Sequence, residues 1–170
     1  MTRATVPVSD IDDIDSLSAA RFVEAIGPLF EGEPGFLWRL AAAHGTPFDA
    51  WDHLFARARR LAHDMPEPLQ IDLIDAHPRL GARGATVSAT SAREQAAAAT
   101  PDDVLATLDR LNADYEARFG FRYCVFVAGR PLAALAPDFA AALGADREAE
   151  LHRALDAIVD IARARHETGA

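Results

Sequence analysis

The chain has one cysteine, Cys124, and therefore cannot form an internal disulfide. Without a pair of thiols, nothing in the sequence requires an oxidising compartment. The neighbours of Cys124 along the chain, Tyr123, Val125 and Phe126, are apolar. This setting predicts a buried, unreactive thiol rather than a nucleophile.

Long apolar runs are also missing from the sequence. No uninterrupted apolar stretch approaches the roughly 20 residues that a membrane-spanning helix needs. The N-terminal region carries four aspartates within 10–15 and no apolar leader. Such a start is typical of neither a secretory signal nor an arginine-rich transit peptide. We therefore expect no membrane partner and a cytoplasmic location.

Positive charge is scarce relative to negative charge. The formal net charge is -9 at pH 7, and an acidic surface repels the phosphate backbone of nucleic acids. The sequence also shows no helix-turn-helix pattern with a basic second helix. We therefore expect no nucleic-acid partner, and a helical DNA-binding regulator is disfavoured.

Patterns of metal ligands are absent from the sequence as well. The chain has six histidines, but it has no His-Glu-x-x-His motif, no paired cysteines and no two histidines at helical spacing. A zinc site needs three or four clustered ligands. We therefore expect no metal ion.

What the sequence does contain is apolar residues at helical spacing. Four such faces are Phe22–Phe30, Trp51–Leu61, Val104–Tyr115 and Leu151–Ala162. Half of the 170 residues are hydrophobic, which is enough for one sizeable core. The prediction is an all-α, single-domain compact helical bundle of about seven or eight helices over 16–170, preceded by a flexible N-terminal arm at 1–15.

Capping residues and prolines predict where several helices begin. Ser18 caps the first helix, and a hydroxyl, proline and acid in succession start two more at 46–49 and 100–103. After a turn at 129–131, a short helix follows at Asp138–Leu143, and Asp146 caps the last helix.

Two further segments stand out between these helices. Leu69–Ala76 is predicted to form a short helix that ends at His77. Phe121–Val127 is a continuous apolar run with strand-forming residues. Because no second convincing strand accompanies it, we expect an extended segment that passes through the core.

The stretch from Ala76 to Gln95 carries groups suited to chemistry on a loop between two helices, where catalytic groups concentrate. His77 is expected on an exposed loop, and the proline that follows it restricts its backbone. Histidine suits proton transfer near neutral pH. Turn and core histidines are common, however, and a lone His-Pro step does not by itself identify a catalytic group.

Ser91 and Glu94 have the Ser-x-x-Glu spacing of a capping box, in which both side chains satisfy backbone N–H groups. Residues 91–95 would then form the first turn of a helix. The sequence by itself favours this structural interpretation over a chemical role.

Taken in order and spacing, these motifs and those that follow resemble one family. The motifs are His77-Pro78 with Leu80-Gly81, Ser91 with Glu94-Gln95, Asn112, Tyr115, and the run Arg118–Phe121. This ordered set resembles the 2-oxo-4-hydroxy-4-carboxy-5-ureidoimidazoline (OHCU) decarboxylases, which perform the last step from urate to (S)-allantoin. The resemblance extends from about Ser18 to His166, nearly the whole chain.

The resemblance implies OHCU as a small-molecule substrate, a homodimer, and no cofactor. The carboxylate of OHCU lies next to a C=N group, so the substrate accepts its own electron pair when carbon dioxide leaves. The catalytic residues that it implies are His77 and Glu94. The substrate-binding residues that it implies are Pro78, Ser91, Glu94, Arg130, Arg165, Phe121, Val125 and Val127. Arg165 also has a structural interpretation, as a solvated cation in the last turn of the last helix.

The chain departs from the family pattern at two places. Many members have Asp after His-Pro, where this chain has Arg79, and many have Ala-Gly-Leu after Glu-Gln, where it has Ala96–Ala98. A catalytically silent or divergent helical module for ligand or protein binding is therefore the alternative function.

Overall fold

The computed structural model describes residues 10–43, 47–83, 87–95 and 100–169. Within these ranges every regular element is helical, which confirms the all-α prediction. The α-helices are α1 (Ile11–Asp15), α2 (Ala19–Ile26), α3 (Pro34–Ala42), α4 (Trp51–Asp64), α5 (Glu67–Asp75), α6 (Ala89–Gln95), α7 (Asp102–Phe119), α8 (Leu132–Ala142) and α9 (Arg147–Thr168). A short 3₁₀ helix, Gly27–Phe30, lies between α2 and α3. The described residues thus hold nine α-helices, where about seven or eight were predicted.

The helices gather into two compact units. The first unit consists of the described residues up to Leu73 and from Val159 onward, and the second consists of those from Ile74 to Ile158. Helices α5 and α9 each contribute residues to both units. The predicted single domain over 16–170 stays a prediction.

The predicted flexible arm at 1–15 is wrong for its last residues. Ile11–Asp15 forms α1, in which the side chain of Asp10 accepts a hydrogen bond from the N–H of Asp12 at 3.2 Å. Ile11 and Ile14 are buried, and burying such side chains stabilises a segment by roughly 1.5–3 kcal/mol each. Residues 1–9 lie outside the described part of the chain.

The start of α4 also differs from the prediction. The signal at 46–49 predicted a helix from Pro47, but α4 begins at Trp51, and Thr46 lies outside the described residues. The N–H of Phe48 instead donates to both carboxylate oxygens of Asp15, at 3.0 and 2.8 Å. The ring of Phe48 is fully buried and stacks on Phe22. Long-range contacts therefore hold these residues out of the helix that the local signal favoured.

In the second unit, α9 follows its capping signal, whereas α7 begins at Asp102 with Pro101 at the N-cap position and no side-chain cap, so the capping role predicted for Thr100 is wrong. The carboxylate of Asp146 accepts from the N–H groups of Glu148 and Ala149, at 2.9 and 3.1 Å, which confirms the predicted cap of α9. Helix α8 begins at Leu132, six residues before the predicted short helix at Asp138. It contains Pro137, a residue that usually argues against a helix interior, so the apolar spacing outweighs the proline.

The extended segment predicted at 121–127 is confirmed, because no residue in it is helical or paired in a strand. Its buried residues are Phe121, Tyr123, Cys124 and Val127. The ring of Tyr123 stacks on Phe139 of α8, with the centroids 3.8 Å apart. Cys124 is buried as predicted, and its carbonyl accepts a hydrogen bond from Arg153 of α9 at 2.8 Å.

A buried polar network continues from Arg153. Its guanidinium pairs with Glu150 at 2.9 Å, and Glu150 accepts the hydroxyl of Tyr115 from α7 at 2.7 Å. Burial, followed by the hydrogen bond to Glu150, raises the pKa of Tyr115 above its ordinary value. The hydroxyl therefore remains a donor at neutral pH, and hydrogen bonds join α7, α9 and the extended segment.

Arg165 is a buried part of the first unit. Its side chain is 1% exposed, and its Nη2 pairs with Glu31 at 2.6 Å. Its Nη1 donates to the carbonyls of Pro28 and Leu29 at 3.2 and 3.3 Å. Glu31 itself has a left-handed backbone, with φ of 53°, at the end of the 3₁₀ helix. The interpretation of Arg165 as a solvated cation is therefore wrong.

Arg165→Met should destabilise the protein by about 3–5 kcal/mol, because it leaves the carboxylate of Glu31 buried without its cation. Combining it with Glu31→Gln should recover part of that loss. The control is Arg163→Met on the same helix, whose partner Asp52 is exposed; it should cost no more than about 1 kcal/mol. Urea denaturation measures all of these variants. If Arg165→Met is no less stable than Arg163→Met, the buried pair does not stabilise the fold.

Candidate active site

His77 lies at the end of α5, where the sequence predicted it, but it is not exposed. The residue is 3% exposed and its Nε2 is buried, so the expected exposed loop setting is wrong. Its N–H donates to the carbonyl of Ile74 at 3.0 Å, and its own carbonyl accepts from Nη1 of Arg122 at 3.0 Å. The backbone of His77 is thus hydrogen-bonded on both sides, and Pro78 restricts the conformation that follows.

Two side chains of helix α7 form hydrogen bonds with Arg79 and Leu80 of this loop. Asn112 donates from Nδ2 to the carbonyl of Leu80 at 2.9 Å, and Asn112 is itself buried. Arg79 donates from Nε and Nη2 to the two carboxylate oxygens of Glu116, with the first bond 2.7 Å long. Both interactions tie the loop to one helix.

The Glu116 pair explains how the chain accommodates Arg79 where many members of the resembling family have Asp. The hydrogen bond to Glu116, and then its negative charge, raises the pKa of Arg79 above its ordinary value. The Arg79 side chain is 53% exposed, so the pair is worth little in stability. It nevertheless balances the additional positive charge beside His77-Pro78.

Helix α6 reaches the same loop through Gln95. The Oε1 atom of Gln95 accepts the N–H of Gly81 at 2.7 Å. Gly81 has a φ of 85°, and a Cβ added to it would lie 3.1 Å from Leu108. A glycine is therefore required where the loop passes close to α7.

The capping-box interpretation of Ser91 and Glu94 is wrong. Ser88 caps α6 instead, because its Oγ accepts the N–H of Ser91 at 3.1 Å and its carbonyl accepts the N–H of Ala92 at 2.8 Å. Ser91 is the third residue of α6 and is 2% exposed. Serine is common at both caps and turns, so a Ser-x-x-Glu spacing does not by itself locate a cap.

Ser91, Glu94 and Gln95 occupy neighbouring positions on α6, since residues three and four apart lie on one face. Gln95 contacts Gly81, and Ser91 is buried. Gln95 thus joins this face of α6 to the His77 loop at Gly81. Glu94 is half-buried beside them, and the departure at Ala96–Ala98 lies outside the described residues.

The other residues proposed for substrate binding are distributed as follows. Phe121 and Val127 are buried, and Val125 and Pro78 are half-buried. Arg130 donates from Nε to the carbonyl of Val127 at 3.1 Å and from Nη2 to that of Phe126 at 2.9 Å. These bonds close the turn after the extended segment. Arg165, by contrast, belongs to the first unit.

Sequence reasoning missed several residues that fix the site. Arg122, Gln95 and Glu116 each bond to the loop that carries His77. Their roles are visible only in long-range contacts, because these hydrogen bonds join residues 14 to 45 positions apart in the chain. Gln95 and Asn112 did belong to the motifs of the resemblance, and that was the one available signal for them.

The described residues contain neither a cluster of metal ligands nor a membrane-spanning helix. Among them, no group of three or more His, Cys, Asp or Glu side chains could hold a metal ion. No helix in the described ranges combines the length and the apolar character needed to cross a membrane.

Comparison with known proteins gives a consistent family. The model of the OHCU decarboxylase family matches residues 15–167. An OHCU decarboxylase from Haloferax volcanii is 30% identical over 158 residues, which are 91% of this chain and 92% of that protein. The mouse (Mus musculus) OHCU decarboxylase is 29% identical over 163 residues, covering 92% of this chain and 90% of that one.

Two further matches involve longer proteins. The uric acid degradation bifunctional protein PucL of Bacillus subtilis is 31% identical over 163 residues, but this chain covers only 31% of it. A crystal structure of (S)-allantoin synthase superposes with a TM-score of 0.71 at 18% identity, covering 94% of this chain and 53% of that one. The likeness to that structure concerns the fold alone.

The crowding of Gly81 can be tested against a matched glycine. Gly81→Ala and Gly120→Ala both place a side chain on a backbone with similar φ, 85° and 82°, but nothing lies within 4 Å of a Cβ at Gly120. Each should lose about 1 kcal/mol from the left-handed backbone. Gly81→Ala should lose about 1–3 kcal/mol more, because its methyl group presses on Leu108. Equal losses in chemical denaturation would show that the loop is not tightly packed there.

Proposed function

The chain belongs to the OHCU decarboxylase family, and on that premise we propose that it converts OHCU to (S)-allantoin in urate degradation. The family match over nearly the whole chain supports this reaction. The observation that carries the assignment to a site is the buried His77 on a loop that Gln95 joins to α6. The proposal includes a cytoplasmic homodimer, as the resemblance implies.

The reaction needs little from the protein in covalent chemistry. When the bond between C4 and the carboxylate breaks, carbon dioxide leaves, the electron pair forms a double bond from C4 to the neighbouring carbon of the C=N group, and the nitrogen of that group takes up a proton. The 4-hydroxyl then loses its proton as C4 becomes a carbonyl, and a proton is delivered to one face of the neighbouring carbon. Because the substrate is its own electron sink, no cofactor is required.

His77 is proposed to exchange protons with the 4-hydroxyl. A histidine is suited to this role near neutral pH. Its burial keeps bulk water away from the reacting carbons, so that proton delivery is confined to the enzyme. Glu94, half-buried on α6, is proposed to bind the ring and ureido N–H groups and to orient His77.

The remaining contacts to substrate are proposed from the same unit. Pro78 on the loop and Ser91 on α6 are proposed to contact the substrate. Backbone groups of the extended segment around Phe121, Val125 and Val127 are proposed to complete the pocket. Arg130 is proposed to bind an anionic or carbonyl oxygen of the substrate. Its side chain is bonded to the carbonyls of Phe126 and Val127 and lies 3.6 Å from the carboxylate of Asp138, and a guanidinium with five N–H groups has further donors to offer a substrate.

Arg165 is proposed to bind substrate, but the structure also gives it a structural role. Its bonds to Glu31, Pro28 and Leu29 stabilise the first unit. Substrate binding by Arg165 therefore remains a proposal that must be separated from loss of stability. The kinetics of Arg165→Lys and Arg165→Met are informative only at temperatures where denaturation shows both to be folded.

His77→Asn should lower the rate of decarboxylation by about 10²–10⁴-fold, the usual contribution of a general acid or base. The assay mixes the protein with freshly generated OHCU and follows the optical signal of (S)-allantoin. The matched control is His152→Asn, an exposed histidine on α9, which should keep full activity. Because His77 is buried, far-ultraviolet circular dichroism must show that the variant is folded.

Two results would contradict this assignment. A folded His77→Asn variant with wild-type activity would place the chemistry elsewhere. A wild-type protein that does not accelerate formation of (S)-allantoin at all would favour the alternative, a catalytically silent binding module of the same fold.

Decarboxylation should survive dialysis against EDTA, and the protein should be colourless. The reason is that the substrate stabilises its own carbanion, so neither a metal ion nor an organic electron sink is needed. Activity measured before and after chelation tests this expectation. Loss of activity that zinc or magnesium restores would show that a metal takes part.

A further inference from the structure

Arg122 donates two hydrogen bonds to Asp75, one from its backbone and one from its side chain. The N–H of Arg122 donates to Oδ1 of Asp75 at 2.9 Å, and Nη1 of Arg122 donates to the carbonyl of Asp75 at 2.6 Å. The same Nη1 atom donates to the carbonyl of His77 at 3.0 Å. One guanidinium nitrogen therefore joins the last residue of α5 to the histidine two positions later.

The backbone around Arg122 is rigid. Its two neighbours along the chain, Phe121 and Tyr123, are 1% and 4% exposed. Tyr123 is stacked on Phe139, and the carbonyl of Cys124 is bonded to Arg153. The backbone that carries Arg122 is thus fixed in the core of the second unit, and Arg122 can act as a fixed reference point for the end of α5.

The chain between the end of α5 and His77 needs such a fixed partner. The last carbonyls of a helix have no partner within it, and α5 ends only two residues before His77. With its N–H on Ile74 and its carbonyl on Arg122, the direction of the Cα–Cβ bond of His77 is determined. A displacement of about 1 Å in a reacting group can cost roughly 10²-fold in rate.

We propose that Arg122, held by Asp75, is a positioning residue that sets the direction of the His77 ring. The inference rests on the proposed function, because it gives Arg122 a role only if His77 exchanges protons with substrate. The competing explanation is that Arg122 merely caps the end of α5, as basic side chains often do. A cap alone would affect stability and leave the turnover of the folded enzyme unchanged.

Arg122→Met removes every donor while keeping an unbranched apolar stem. It should lower kcat by about 10- to 100-fold, the usual cost of losing a residue that orients a reacting group, and change KM by less than about threefold. Arg122→Lys should recover part of kcat, because a single nitrogen, Nη1, makes both carbonyl bonds and an ammonium can replace one donor atom. Affinity for the product (S)-allantoin, measured by calorimetry, should stay close to that of the wild type.

Asp75 provides an independent arm of the test. Asp75→Asn keeps an oxygen that can accept the N–H of Arg122, whereas Asp75→Ala does not. The first should therefore keep more of kcat than the second. The matched control is Arg118→Met in the same unit, since Arg118 is an exposed arginine that also donates to a backbone carbonyl, that of Ala145 at 3.4 Å. This control should leave kcat and KM unchanged.

Several outcomes would overturn the proposal. If folded Arg122→Met keeps the kcat of Arg118→Met, or if it loses only stability in urea, Arg122 is a helix cap. If Arg122→Met does not fold, Arg122→Lys and Asp75→Ala decide the question by the same comparison of kcat with KM. Failure of the proposed function looks different, because either the wild type would then be inactive or His77→Asn would be as active as the wild type, whatever the Arg122 variants do.

Discussion

The site depends on one constraint, which is that a loop buried in protein must find partners for its own backbone. Residues 77–81 carry the histidine into the interior, where an unsatisfied backbone group is costly. The partners come from three side chains on three different elements: Arg122, Asn112 and Gln95. The arrangement of α6, α7 and the extended segment around the loop is what lets these side chains reach it.

This constraint also changes what the motifs mean. Asn112 and Gln95 belong to the ordered set that resembles the family, yet their described bonds hold the loop backbone. Tyr115 belongs to it as well, and its hydroxyl leads through Glu150 toward the extended segment. The motifs therefore include residues that support the loop and the extended segment as well as residues proposed to react. A frame with several anchors can accept a change such as Arg79, provided that a partner such as Glu116 is present.

Sequence reasoning predicted the elements that depend on local signals and missed those that depend on distant partners. Asp146 caps α9 and the 121–127 segment is extended, as predicted, because both follow from neighbouring residues. The start predicted at 46–49 failed because Phe48 bonds to Asp15, 33 positions earlier. Arg165, which local sequence interprets as a solvated cation in the last turn of a helix, is buried against Glu31, 134 positions away. No local pattern contains such partners, so only the folded chain could show them.

For a reaction in which the substrate supplies the electron sink, geometry is most of what the enzyme contributes. Bulk water would deliver protons to either face of the ring and give both hands of the product, whereas a fixed donor reaches one face only. His77 is buried, and the bonds on its two backbone groups fix the direction of its Cα–Cβ bond, from which the ring extends. Stereochemistry and rate then have the same structural origin. A loosened loop should therefore lower the rate first and, if water enters, allow the uncatalysed racemic reaction to compete, without any change in the groups that touch the substrate.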